Sequence, residues 1–367
     1  MSFFDKIKRP TLLLDEHKCR ENIRWMAEKA RRSDVIFRPH FKSHQSVIIG
    51  GWFREEGVNA ITVSSVGMAS YFADAGWEDI TIAFPVNLRE MDEINRLAGK
   101  VTLNLLVNSS ETLQILEKNI RNQAGIFIEI DTGYHRSGLT VADSATIERI
   151  ADICRGSSNL HFQGFLSHFG ETYRASGRKD IEKIYRYGEK QLKQIRDSFN
   201  SEGSGIISVG DTPSCSVLES FPGVDEIRPG NFVFYDVMQL EIGSCISDQI
   251  AICIAAPVVD IYPDRNEVIV HAGAIHLSKE GILSNGKMIF GLVVNITEEG
   301  WSAPIEGCFV SNLSQEHGII SLGPSLLQTL RPGSLIGILP VHACLTADAM
   351  KSYSTFQGQS VSMFTGF

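Results

Sequence analysis

The 367-residue chain is 43% hydrophobic and 21% charged, with a formal net charge of -9. This is the composition of a folded globular protein rather than a disordered or coiled-coil one, and its acidic balance argues against a nucleic-acid partner. Seven cysteines without a Cys-x-x-Cys pair, no apolar run of membrane-spanning length and no signal-type apolar stretch in Met1–Pro10 predict reduced thiols, no membrane partner and a cytoplasmic location.

Taken in chain order, Thr11–Leu14 reads as a strand before a helix over Glu16–Arg32. Short apolar runs then alternate with amphipathic stretches. The runs are Val35–Phe37, Ala60–Val63, Ile80–Phe84, Val101–Val107, Gly125–Ile130, Phe162–Ser167, Ile206–Val209 and Glu226–Ile227. Helical patterns follow at Ser46–Glu55, Val66–Ala75, Leu88–Leu97, Glu111–Asn119, Asp143–Cys154 and Lys179–Phe199. Eight strand–helix units over about 200 residues match a (β/α)8 TIM barrel. The rival open doubly wound sheet lacks a Gly-x-Gly-x-x-Gly after any strand. After about Tyr235 the strand-like runs continue without long helices: Val258–Ile261, Glu267–His271, Met288–Val294, Cys308–Val310, Gly318–Ser321 and Leu335–Pro340. The expected division is an α/β barrel over residues 16–240 and a mainly β domain over 241–367, joined by the N-terminal strand region 1–15. Thr11–Leu14 either opens the barrel or pairs in the β domain.

A barrel places its chemistry just beyond the C-terminal ends of its strands. Lys42, between His40 and His44 in the loop after the first strand, is a candidate Schiff-base lysine; taken alone, a loop lysine is most often a solvated one. Gly210–Ser214, after the seventh strand, has the small residues of a phosphate loop, and serves equally as a turn with a helix cap at Asp211 or Thr212. Arg136 and His168 follow the fifth and sixth strands, with Tyr173 behind them. In the β domain, His342-Ala343-Cys344 read as strand would point imidazole and thiol to one face, two zinc ligands with open positions left over.

Together these segments resemble the fold-type III pyridoxal-phosphate enzymes of the D-serine dehydratase and D-threonine aldolase family, which share a barrel with alanine racemase. Pro39-His40-Phe41-Lys42-Ser43-His44, Asp131-Thr132-Gly133 with Arg136-Ser137-Gly138, Gly210–Ser214, Arg228-Pro229-Gly230 with Tyr235-Asp236, and Pro340–Thr346 carry the resemblance. It implies Lys42 as the lysine bound to pyridoxal 5'-phosphate and as the catalytic base. Arg136 faces the cofactor's phenolic oxygen, His168 lies against its ring and Tyr173 lies near the ring nitrogen. Gly210, Asp211, Thr212 and Tyr235 surround the phosphate. His342 and Cys344 hold a divalent metal, zinc above others, and the His-x-Cys pattern is that of the dehydratase branch where the aldolases carry His-x-Asp. The resemblance also implies a homodimer, the β domain of one chain closing the partner's barrel. The implied activity is β-elimination from a 3-hydroxy D-amino acid, such as D-serine or D-threo-3-hydroxyaspartate, to a 2-oxo acid and ammonia. The alternatives are a metal-dependent D-threonine aldolase, a racemase, for which no second base can be assigned, and a non-catalytic cofactor carrier, which would lack the β domain.

Overall fold

Eight parallel strands form one sheet in the computed structural model, which describes residues 3–199 and 205–366. Residues 1, 2 and 367 of the expected β-domain range lie outside the described residues. The strands are Ile36–Phe37, Ala60–Val63, Asp79–Pro85, Thr102–Val107, Ala124–Glu129, Leu160–Ser167, Ile206–Val209 and Glu226–Ile227. From the second strand on, each pairs with the next in sequence, and the last pairs with the first. A parallel bridge between His40 and Thr62 joins the first strand's end to the second strand, with the Phe41 N–H donating to the Thr62 carbonyl at 2.8 Å. The parallel sheet thereby closes into the expected barrel.

Two of the connecting helices carry a local start signal in a capping serine. Ser65 and Ser109 accept hydrogen bonds from the N–H groups of Met68 and Thr112, each at 3.1 Å, capping the helices Val66–Asp74 and Ser110–Asn119. Strand Ala124–Glu129 is buried at every residue, as a parallel strand covered on both faces should be.

The barrel interior carries a polar network among its branched apolar side chains. Glu226, with no exposed side-chain surface, accepts hydrogen bonds from Arg38 Nε and Ser208 Oγ, both at 2.6 Å. Arg38 also forks onto Asp79 at 2.6 and 3.1 Å. Ser208 Oγ accepts from Arg228 Nε at 2.6 Å, and Arg228 Nη2 donates to the Ser167 carbonyl at 2.8 Å. Gly125 leaves room for this packing: a Cβ there would come within 2.0 Å of Asn104 Oδ1.

This barrel unit comprises Arg24–Gly230 and the residues from Phe364 on; the second unit comprises the residues up to Ile23 and Asn231–Met363. In the second unit a ring of six antiparallel strands runs Glu267–His271, His317–Ser321, Phe309–Leu313, Gly291–Val294, Leu335–Pro340 and Ile252–Tyr262, the last pairing back with the first. Thr11–Leu14 extends this sheet, antiparallel to Ile252–Ala255, and takes no part in the barrel. Among the described residues no helix is long and apolar enough to cross a membrane.

Arg38→Met leaves the Glu226 carboxylate buried with its cation gone, and is expected to cost about 3–5 kcal/mol. Urea unfolding of the variant beside the parent checks this; an unchanged midpoint would show that the network carries no stability.

Candidate active site

Lys42 leaves the barrel in the turn that follows the first strand, its side chain exposed and its N–H donating to His40 Nδ1 at 3.4 Å. His168, one residue past the sixth strand, bonds through Nδ1 to the Gly210 carbonyl at 2.5 Å, which fixes the ring plane. Tyr134 and Tyr173 flank that ring, with centroids 5.8 and 5.9 Å away. Tyr173 Oη accepts from the Thr212 N–H at 3.1 Å, and Asp211 caps the short helix Thr212–Val217 by accepting from the Ser214 N–H at 2.7 Å. Arg136, half exposed, lies 3.8 Å from the buried Glu129 carboxylate, which Asn108 and Ser137 each bond at 2.8 Å.

These groups share one electrostatic environment. Burial, followed by the charges of Lys42, Arg228, His168 and Arg136, holds His40 well below the ordinary histidine value. Burial and the same cations push His168 down to about 3. Both imidazoles are neutral, and the cations converge where an anion is wanted. The barrel unit therefore gathers Lys42, Arg136, His168, Tyr173, Gly210, Asp211 and Thr212. Arg228 was visible in the sequence beside Pro229-Gly230, but its burial and its reach to Ser167 were not.

Tyr235, His342 and Cys344 belong to the β unit. Tyr235 is buried, in the left-handed region at φ 49°, its N–H donating to the Asn231 carbonyl at 2.8 Å. The strand expected through His342-Ala343-Cys344 is corrected by the structure: the strand stops at Pro340, His342 caps a helix over Ala343–Met350, and Cys344 is that helix's second residue. The Ala-rich segment favours helix once the strand's apolar run ends. The two side chains still meet, because the buried Asp236 accepts from the Ala343 N–H at 2.9 Å and from Asn231 Nδ2 at 2.6 Å, and Asn231 Nδ2 in turn lies 3.6 Å from Cys344 Sγ. Glu280, which no motif singled out, bonds His342 Nδ1 at 2.5 Å. Burial disfavours a charged ring at His342, yet hydrogen bonds to Cys344 and Glu280 outweigh it and raise His342 to about 11. A thiol and a carboxylate converging on one imidazole make a site that attracts a cation, and carboxylate–imidazole backing with a sulfur donor suits zinc.

The two halves of the chain match separate family models: "Alanine racemase, N-terminal domain" over residues 14–237 and "Putative serine dehydratase domain" over 251–356. A D-serine dehydratase of Dictyostelium discoideum is 31% identical, covering 95% of this chain and 93% of that protein. A D-threo-3-hydroxyaspartate dehydratase of Delftia sp. strain HT23 is 28% identical over 94% of this chain and 93% of its own. The solved structure of the Delftia enzyme superposes with a TM-score of 0.90 at 25% identity, covering 100% of both chains. Fold and barrel face together define an alanine racemase-like enzyme. The chain belongs to the D-serine dehydratase family of pyridoxal-phosphate-dependent lyases.

The barrel face fits that cofactor. An amine, a pinned neutral imidazole and convergent cations are the donors an aldehyde-bearing phosphate requires. At Gly210 a Cβ would lie 2.9 Å from the Arg228 carbonyl, so the phosphate loop can be lined only by backbone there.

Burial pushes the Asp211 carboxyl from an ordinary value near 3.8 up to about 6. The folded state thus holds this proton more tightly, so the group's contribution to stability is full below about pH 4 and is lost as pH rises through about 6. Urea midpoints across that interval should shift in favour of Asp211→Asn over the cofactor-free parent; parallel profiles would refute the assignment.

Proposed function

We propose that the protein converts a 3-hydroxy D-amino acid, D-serine foremost, to the 2-oxo acid and ammonia by eliminating the β-hydroxyl. The observation that carries this reading is the Cys344–His342–Glu280 cluster, whose thiol is the softer donor that suits zinc. Similarity to the D-serine dehydratase over nearly the whole chain supports it. Metal dependence gains support from the Delftia enzyme, a mutant of which is known in a metal-free form.

Pyridoxal phosphate, when bound, supplies an electron sink for charge developing at the substrate's α-carbon. Zinc, when bound by His342 and Cys344, supplies Lewis-acid assistance to the departing β-hydroxyl. The chain supplies position and protons. Lys42 would hold the cofactor through its amine, and that amine is placed to act as general base toward the substrate's α-proton. His168 presents a neutral ring of fixed orientation to the cofactor, since its Nδ1 is held by the Gly210 carbonyl. Arg136, which Glu129 faces at 3.8 Å, would offer positive charge to the bound cofactor, and Tyr173, which accepts from the Thr212 N–H, would line the same face. Gly210, Asp211 and Thr212 would hold the phosphate. Loss of the α-proton and the β-hydroxyl leaves an enamine that tautomerises and hydrolyses, giving pyruvate from D-serine. Further proposals are a two-fold homodimer and a reducing, cytoplasmic location, the latter in keeping with seven cysteines that form no disulfide among the described residues.

Purified protein incubated with D-serine, D-threonine and D-threo-3-hydroxyaspartate should release ammonia and 2-oxo acid in excess of glycine and aldehyde; the reverse ratio would make it an aldolase. Borohydride reduction should fix the cofactor on Lys42, and peptide mapping that places it elsewhere would overturn the site. Chelation and Cys344→Ala should each abolish ammonia release while leaving the cofactor's visible band; ammonia release at the parent rate in chelator would remove the metal from the reaction.

A further inference from the structure

The β unit contains a second cluster of metal-type donors, which the proposed reaction does not use. His271 ends the strand Glu267–His271; the chain turns through Ala272-Gly273 into the helix Ala274–Leu277, whose third residue is His276. Glu316 stands just before the neighbouring strand His317–Ser321, in which His317 is paired with His271. His271 Nε2 lies 3.4 Å from Glu316 Oε2, and the two imidazole rings meet edge to face with centroids 5.6 Å apart. One ligand atom from each of the three side chains lies within 4.8 Å of the others, and all three residues are half-buried. We propose that His271, His276 and Glu316 form a second divalent-metal site, for zinc, distinct from the His342–Cys344 cluster.

The chemistry and the spacing agree. Two imidazoles and a carboxylate are a zinc donor set that leaves a fourth position for water. Tetrahedral bonds of about 2.0–2.1 Å set neighbouring donors about 3.3–3.4 Å apart, the spacing already present between His271 and Glu316. His276 joins them if its ring gives up the hydrogen bond that Nδ1 accepts from the Gly273 N–H at 3.2 Å. The backbone carrying the three residues is rigid: the Ala274 N–H donates to the Ser314 carbonyl at 2.8 Å, and a Cβ on Gly273 would come within 2.3 Å of the Gln315 carbonyl. Gly318 permits the same closeness on the neighbouring strand, where a Cβ would lie 2.6 Å from the Ala272 carbonyl. An ion here would tie strand, turn and helix together, four residues before the Glu280 that bonds His342.

Zinc counted on chelator-stripped, cofactor-loaded protein after dialysis against buffered Zn2+ tests the proposal. The parent should hold an equivalent that survives Cys344→Ala. In the Cys344→Ala background, His276→Ala and Glu316→Gln should each weaken that equivalent by at least about 100-fold, since loss of even an outer-sphere partner costs about 10–100-fold. Absence of an equivalent in Cys344→Ala, or its retention at unchanged affinity in both double variants, would overturn the second site. The readout also separates the two sites: zinc lost from the parent by Cys344→Ala reports the first, and zinc remaining reports the second.

Discussion

A carboxylate with no exposed surface inside a barrel is the constraint on which the barrel unit depends. Glu226 begins the last strand, and isolating its charge there would be prohibitive without partners. Arg38 from the first strand's end and Ser208 from the seventh strand supply them. Satisfying one carboxylate thereby sets the register where the barrel closes. The same chain of bonds continues from Ser208 to Arg228 and on to the Ser167 carbonyl, next to His168. Structural closure and the charge distribution of the active face are one hydrogen-bonded network.

Burial first, and then that network's charge, keeps the histidines of the face neutral. Arg228 is buried and held by three oxygens, so its charge is fixed and weakly screened. Together with Lys42 and Arg136 it makes protonation of His40 and His168 costly. A face of fixed cations and neutral rings suits an anionic, aromatic cofactor.

The β unit solves a similar problem with Asp236. This buried acid caps the helix Val237–Glu241 and also receives the Ala343 N–H, so one carboxylate positions both Asn231 and the turn bearing His342 and Cys344. Scaffold and chemistry separate here. The barrel fold is shared with racemases and aldolases, and the proposed metal donors lie outside it.

Much of the architecture was legible because parallel and antiparallel strands write short-range patterns. Ala60–Val63, Ile206–Val209, Glu226–Ile227, Glu267–His271 and Leu335–Pro340 have the same bounds in sequence reading and structure. Lys42, Gly210 and Asp211 were legible because loops at strand ends have a known place in a barrel. The helix at Cys344 was misread because Val341-His342-Ala343 keeps the apolar–polar alternation of a strand just past the end of the strand at Pro340. Glu280 beside His342, the burial of Arg228 and its reach to Ser167, and the meeting of His271 with His276 and Glu316 were not legible. The sequence by itself determined the alternation of elements and the barrel, since these depend on residues within one turn or one strand of each other. Only the tertiary structure decided which distant charges meet, because burial turns a residue 62 positions away into a direct hydrogen-bond partner.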